Sequence, residues 1–504
     1  MSRTAPGEQT GRYRPEPSVL TALRSPRILT REVLAGLVVA LALIPEAIAF
    51  AVIAGVDPKV GLFSSFIMAV TIAFVGGRPA MISAATGAVA LVIAPVAREH
   101  GLDYFIATVL LAGVMQILLA VLGVAKLMRF IPRSVMVGFV NALAILVLLS
   151  QLPHLIDVPW LVYPLVALGL AVLILLPKIT KVIPAPIVSI AVVTIVVMVF
   201  SISVPRVGDQ GELPRSLPEL FIPNVPLTLE TLGIIAPYAL GMALVGLMES
   251  LMTAKLVDDI TDTRSNKTRE SWGQGVANIV SGFFGGMGGC AVIGQTMINV
   301  KVSGARTRIS TFFAGVLLLV LIVALGDVVA GIPMAALVAV MIMVCVATFD
   351  WHSVRWSTLR RMPKSETFVM VTTVAAVVAT GNLAIGVGVG VVVASVLFVR
   401  RVAHFVSVER VVQVSDGAEV ARYTVTGELF FASSNDITTM FEYTNDPDQV
   451  VIDFTGSHVW DASSVAALDA IVMKYRQQGK RVELLGMNEY TTDFHGRLTG
   501  ELGG

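Results

Sequence analysis

Two stretches decide the fold: Gly76-Gly77-Arg78-Pro79-Ala80-Met81-Ile82-Ser83-Ala84-Ala85-Thr86-Gly87 and Gly285-Gly286-Met287-Gly288-Gly289-Cys290-Ala291-Val292-Ile293-Gly294-Gln295-Thr296. Each is a run of small residues followed by a short apolar run, 87–97 in the first case and 294–302 in the second. Neither short run can cross a ~30 Å hydrocarbon core alone. Upstream of each lies a long apolar segment interrupted by one carboxylate. Glu46 stands 41 residues before Gly87, and Glu249 stands 45 residues before Gly294. Interrupted segments in corresponding places are the sign of an inverted repeat with a binding site between its halves.

The rest of the chain fits this reading. Hydrophobic residues make up 55% of 504 positions and charged residues 14%, whereas a soluble chain averages about a quarter charged. Charge is sparse from about 33 to 399 and ordinary at both ends. A spanning helix needs about 20 apolar residues. Apolar runs recur at 32–54, 60–75, 87–97, 103–123, 134–151, 160–176, 184–202, 229–257, 273–286, 294–302, 308–326, 332–348, 366–381 and 383–400, which makes fourteen segments. The longest link, 203–228, is rich in Pro, Gly and acids and separates seven segments from seven.

Lys and Arg set the orientation. With the N-terminus inside, the inner links hold Arg78; Lys126, Arg129 and Arg133; Lys178 and Lys181; Lys255, Arg264, Lys267 and Arg269; Lys301, Arg306 and Arg308; Arg355, Arg360, Arg361 and Lys364; and Arg400 and Arg401. The outer links hold only Lys59, Arg98, Arg206 and Arg215. A wrong helix count would scramble this alternation, so both termini are expected in the cytoplasm. The first 30 residues carry Arg12, Arg14, Arg24 and Arg27 and have no apolar core, which reads as a cytoplasmic tail rather than a cleaved signal. A net charge of +1 argues against nucleic acid as a partner. The two cysteines, Cys290 and Cys345, suggest no disulfide framework. After Arg401, alternating stretches (411–414, 420–426, 450–454, 481–485) and helical patterns (434–444, 463–478) read as a small soluble α/β domain.

Non-helical backbone at membrane depth must be buried in protein or line a cavity. The segments 80–86 and 287–293 therefore read as extended pieces, each opening a half-helix. Helix N-termini carry roughly +0.5 of a charge, so two of them facing each other can hold an anion. Thr86, Gly87 and Ala88 on one side, with Gly294, Gln295 and Thr296 on the other, would supply the donors. The alternative is that these small residues serve tight helix packing alone. Glu46 and Glu249 are the carboxylates well inside apolar segments, and intramembrane acids are functional by default. A poorly solvated acid can take up a proton near neutral pH, so both are candidates for substrate binding and proton coupling. The alternative for each is a carboxylate that locks helices together through hydrogen bonds. Asp258 and Asp259, beside Lys255, read as a solvated helix end. No catalytic constellation, metal-ligand spacing or cofactor motif is recognisable.

Four stretches carry a family resemblance. They are Ala42-Leu43-Ile44-Pro45-Glu46-Ala47-Ile48-Ala49-Phe50-Ala51 with Gly61-Leu62-Phe63; Met248-Glu249-Ser250-Leu251 with Asp258 and Asn266 to Gly286; Asn299 with Gly304-Ala305-Arg306-Thr307; and Val450-Val451-Ile452-Asp453-Phe454 followed by Asp461-Ala462-Ser463-Ser464. Together they resemble the sulfate permease family, also called solute carrier family 26, over about 30–504. The last stretch resembles a STAS domain, the fold of anti-sigma factor antagonists. The resemblance implies a polytopic α-helical membrane protein of 14 transmembrane segments, a 7+7 inverted repeat forming core and gate domains. It divides the chain into a tail (1–30), a transport domain (31–405, with repeats at about 31–202 and 229–405) and a cytoplasmic STAS domain (409–504). It also implies a homodimer in the bacterial inner membrane and a site between half-helices 3 and 10. Gln295 stands where many members have Arg, and Glu46 where many have Gln. Those departures favour proton-coupled symport of a dicarboxylate such as fumarate or succinate by alternating access. Bicarbonate or sulfate transport, or a nucleobase permease-like activity, are the alternatives. Ser463 matches a serine phosphorylated in the sigma-factor antagonists, and the local pattern suggests instead that it caps the helix after Asp461.

Overall fold

The computed structural model describes residues 18–123, 131–179, 185–403, 406–415 and 418–498. Arg12, Arg14, Lys126, Arg129 and Lys181 lie outside these residues. The chain forms two compact units, Met1–Val391 and Val392–Gly504.

The first unit is helical, and each apolar run of the sequence corresponds to one helix. Helix α1 (Pro26–Ala54) meets α2 (Pro58–Val75) at a tight turn where Gly55 takes a φ of 79°. Strand β1 (Ser83–Ala84) leads into Gly87–Val121, which Gly101 (φ 83°, ψ −176°) breaks into α3 (87–100) and α4 (102–121). Glycine is required there because that backbone conformation is strained for any residue with a Cβ. Helices α5 (Arg133–Gln151), α6 (Val162–Ile179) and α7 (Ala185–Val199) complete the first half. The second half repeats the order with α8 (Leu229–Thr261), α9 (Lys267–Phe283), β2 (Cys290–Ala291) and α10 (Ile293–Met297, continued by the π-helix Ile298–Val302). Helices α11 (Arg308–Ala324), α12 (Met334–Thr348), α13 (Lys364–Thr380) and α14 (Leu383–Ala403) follow.

Helix α9 starts earlier than its apolar run at 273–286 suggested. Its first turns carry Glu270, Ser271 and Gln274, all fully buried. A hydropathy scan misses such turns because their polar side chains face protein partners rather than lipid.

Helices α1–α4 pack with α8–α11, and α5–α7 pack with α12 and α13. Close crossings within the first group recur in the two halves. A Cβ on Gly113 of α4 would lie 2.7 Å from the Gly275 carbonyl of α9, and one on Gly275 would lie 2.6 Å from the Gly113 carbonyl. In the corresponding pair, a Cβ on Gly315 of α11 would lie 2.9 Å from the Phe66 carbonyl of α2. Membrane helices approach this closely only through small residues, because lipid supplies no hydrophobic drive for their association.

Asp258 departs from the expected solvated helix end. It is largely buried and bonds Arg78 Nη1 (3.1 Å) and Lys267 Nζ (2.7 Å), tying the link after α2 to the junction of α8 and α9. Neighbouring Asp259 is exposed, as expected.

The second unit holds a four-stranded sheet in the order β3-β4-β5-β6. The strands are β3 (Ser407–Ser415), β4 (Ala418–Leu429), β5 (Gln449–Val459) and β6 (Arg481–Leu485). The pair β3/β4 is antiparallel, whereas β4/β5 and β5/β6 are parallel. Helix α15 (Ala462–Gln477) buries Val465, Leu468, Ile471 and Tyr475 in the core, and α16 (Glu489–Leu498) follows β6. The expected helix at 434–444 is confined to Ser434–Ile437. The α15 cap is Asp461 rather than Ser463: Asp461 is extended (φ −144°, ψ 168°) and its carboxylate accepts from Ser464 N–H. Ser463 already lies inside the first turn, where its hydroxyl cannot reach back to cap.

Gly113→Ala or Gly275→Ala should destabilise the protein by about 1–3 kcal/mol through overpacking. Gly388→Ala, where a Cβ meets open space, should change stability by less than about 0.5 kcal/mol. Thermal unfolding in detergent, followed by the loss of monodisperse protein, checks the contrast; equal effects at the three positions would rule out the close crossing.

Candidate functional site

The small-residue stretches meet in the middle of the first unit. Strands β1 and β2 pair antiparallel, Ser83 with Ala291 and Ala84 with Cys290, and Val292 N–H donates to the Ile82 carbonyl (2.8 Å). Two residues per strand cannot satisfy the flanking backbone, so buried hydroxyls and amides complete it. Ser64 Oγ donates to the Gly288 carbonyl (2.6 Å), and Asn278 takes the Gly289 N–H (2.8 Å) and carbonyl (3.1 Å). Ser250 Oγ accepts from Ala291 N–H (3.1 Å), Ser65 Oγ from Ala85 N–H (3.2 Å), and Thr296 Oγ1 from Ile82 N–H (3.0 Å).

Each strand then opens a helix. Thr86 is the N-cap of α3, its hydroxyl accepting from Val89 N–H (3.4 Å). At α10 the N-cap is Val292, which offers no side-chain cap. Both N-termini border one cavity of about 470 Å³ between the two helix groups. Glu46, Phe50, Thr86, Gly87, Ala88, Glu249 and residues 292–295 line it from one group, and Phe139, Leu143, Val147, Val340 and Cys345 are among its lining from the other. Seven of the eight residues expected at the site therefore share one cavity. Thr296 is the exception, buried behind it with its hydroxyl on Ile82.

The two carboxylates have different partners. Glu249 Oε2 accepts from Cys290 Sγ–H (2.9 Å), and Cys290 Sγ in turn lies 3.1 Å from Thr86 Oγ1. Glu46 lines the cavity beside the Gln295 side chain, and the Gln295 Oε1 is buried without a protein partner. No Lys, Arg or His lines the cavity among the described residues. Its walls are otherwise apolar, so any anion inside would meet two acids, two helix N-termini and hydrocarbon.

Two further carboxylates are fully buried. Glu270 accepts from Gly77 N–H (2.7 Å), Arg78 N–H (2.9 Å) and Gln274 Nε2 (2.8 Å), and Glu32 accepts from Arg306 N–H (2.8 Å) and from Thr307 N–H and Oγ1. Sequence reading passed over both because they sit at the edges of apolar runs. Cys290 also went unassigned, since a cysteine among small residues carries no signal of what it faces.

Comparison with known proteins matches this architecture. The model of the sulfate permease family matches residues 29–163 and 159–373, and that of the STAS domain matches 410–494. The chain is 50% identical over 461 residues to the "Putative sulfate transporter YbaR" of Bacillus subtilis (strain 168), covering 92% of this chain and 95% of that protein. Among solved structures it resembles the transmembrane domain of a cyanobacterial bicarbonate transporter, BicA, with a TM-score of 0.62 and 25% identity, covering 73% of this chain and 98% of that one. It also resembles the murine Solute Carrier 26 family member A9 anion transporter in its inward-facing state, with a TM-score of 0.78 and 17% identity over 93% of this chain and 87% of that one. The first unit, its paired half-helices and the appended sheet domain thus have one source: the chain belongs to the sulfate permease family and is a multi-pass membrane transporter of anions with a C-terminal STAS domain.

Proposed function

We propose that this chain carries a small organic dianion into the cell together with protons, by alternating access of the cavity between its two helix groups. One observation carries the reading: the cavity holds two carboxylates and no cationic side chain among the described residues. Like charges ~5 Å apart repel by roughly 3 kcal/mol at an effective dielectric of about 20. A helix N-terminus returns only about 0.3–1 kcal/mol in ordinary settings and up to ~2 when partly buried. An anion therefore binds well only when Glu46, Glu249 or both are protonated. Proton uptake and substrate binding are then one linked event, with Thr86, Gly87, Ala88, Gly294 and Gln295 donating to the substrate and Thr296 holding the half-helices in register.

The apolar walls, Phe50, Phe139, Leu143 and Val147 among them, favour a substrate with a carbon frame, such as fumarate or succinate. Sulfate and bicarbonate are the second reading, supported by the activities named for the Bacillus and cyanobacterial relatives. Orientation follows from charge. Arg78, Lys267, Arg269 and Arg308 are held at one end of the helices by bonds to Asp258, Val75, Phe74 and Gly76. That end is the cytoplasmic one by the positive-inside rule. The protein would work as a homodimer in the inner membrane, with the tail and the STAS domain inside.

In proteoliposomes, an inward proton gradient should drive accumulation of labelled fumarate, and uptake should fall as external pH rises because the acids then stay charged. Glu46→Gln should lose gradient-driven accumulation but retain exchange. Accumulation of sulfate without dicarboxylate would shift the assignment to the second reading, and gradient-independent accumulation would end the proton coupling. Gly87→Ala should weaken substrate binding by about tenfold or more, since its Cβ would lie 2.8 Å from Phe50. Gly294→Ala, whose Cβ meets open space, should bind far closer to wild type; the reverse order would place the substrate elsewhere. Cysteines placed at Gly208 and Ser415 should label from opposite sides of the membrane, and labelling of both from one side would overturn the topology.

A further inference from the structure

Cys290 lies between two groups of the cavity, and neither family membership nor proton coupling assigns it a role. Its thiol donates to Glu249 Oε2 (2.9 Å), and its sulfur lies 3.1 Å from the hydroxyl of Thr86, which caps α3 and accepts from Val89 N–H (3.4 Å). The three side chains form one hydrogen-bonded wire from an acid to a helix N-terminus. A carboxylate is acceptor-only, so with Glu249 charged the Cys290 S–H must point at it. The sulfur is then left as an acceptor, and the Thr86 O–H is the donor that can fill it. In that state Thr86 offers the cavity no proton.

We propose that Cys290 is a positioning residue that reverses the direction of this wire when Glu249 is protonated, turning the Thr86 hydroxyl into a donor for the bound anion. A proton taken from water adds to a Glu249 oxygen. The new O–H donates to Cys290 Sγ, the S–H rotates onto Thr86 Oγ1, and the Thr86 O–H rotates into the cavity. No covalent bond other than the new O–H forms, and none breaks. On the opposite half-helix Gln295 leaves its Oε1 buried and unpartnered in the wall of the same cavity as Glu46. The other titratable groups of the cavity are Glu46 on α1 and Cys345 on α12, and no cationic side chain lines it among the described residues.

The inference rests on the proton-coupled reading, and the test separates the two. Binding of radiolabelled fumarate, with sulfate as a second probe, is measured across the neutral pH range on full-length protein in nanodiscs. An E46Q background leaves Glu249 as the titrating carboxylate of the cavity. Cys290→Ala should then bind about tenfold more weakly than its parent at acid pH, the loss of one hydrogen bond to a charged group, with a flattened pH profile. Cys290→Ser keeps a donor and an acceptor at the same point and should restore the parent's affinity and profile. A parental pH profile in Cys290→Ala would overturn the wire while leaving proton coupling intact. Equal damage from Cys290→Ala and Cys290→Ser would assign the thiol a packing role and overturn it likewise. Binding without pH dependence in the wild-type protein would overturn the proton-coupled reading and this inference with it.

Discussion

The structure depends on a backbone contact of two residues on each side. Ser83-Ala84 and Cys290-Ala291 pair antiparallel in the interior of a helical membrane unit, where an unpaired N–H or carbonyl costs several kcal/mol. Extended chain can persist there only if every neighbouring backbone group finds a partner. That requirement explains why α2, α8 and α9 carry Ser64, Ser65, Ser250 and Asn278 on faces that touch neither water nor lipid. It also explains the glycines, since a Cβ on Gly289 would lie 1.9 Å from the Ala84 carbonyl. With the pairing in place, two helix N-termini are brought to one cavity and held there.

Buried carboxylates play two parts in this framework, and their partners tell them apart. Glu32 and Glu270 are saturated by backbone N–H groups and neighbouring polar side chains, which fixes the start of α11 and the link after α2. Buried groups so bonded are costly to disturb, because removing a partner leaves the rest unsatisfied. Glu46 and Glu249 face the cavity, Glu249 with a thiol as its side-chain partner and Glu46 beside the Gln295 side chain. Hydrogen-bond capacity left open beside a cavity is what substrate and proton chemistry requires.

The STAS unit solves the problem of a small domain in a related way. Asp446 is buried beneath β4 and α15, accepting from Tyr423 OH (2.6 Å), Arg410 Nε (2.7 Å) and Tyr475 OH. Burial, followed by these hydrogen bonds, raises Tyr423 and Tyr475 above the ordinary phenol range, and burial pushes Tyr443 up to about 12. The polar cluster fixes how the sheet and the helix meet, and alkaline pH weakens it as the unfolded tyrosines ionise first.

The sequence by itself determined the helix count, the repeat and the pair of half-helices, because membrane burial writes itself as long apolar runs and because backbone at membrane depth needs small residues. It also pointed to Glu46 and Glu249, whose charge is conspicuous in apolar surroundings. The first turn of α9 lay outside its apolar run, since Glu270 and Ser271 face buried protein although their side chains are polar. The same holds for the helix-terminal ion cluster around Asp258, which joins nearby Lys267 to Arg78 from a distant part of the chain. Only the tertiary structure decided that Thr296 supports the strand pairing rather than facing the cavity, that Cys290 joins Glu249 to Thr86, and that Gln295 meets Glu46 in one cavity. Each of these is a contact between residues far apart in sequence, set by the antiparallel register of β1 and β2, and no local pattern of residue types encodes a register across some two hundred residues.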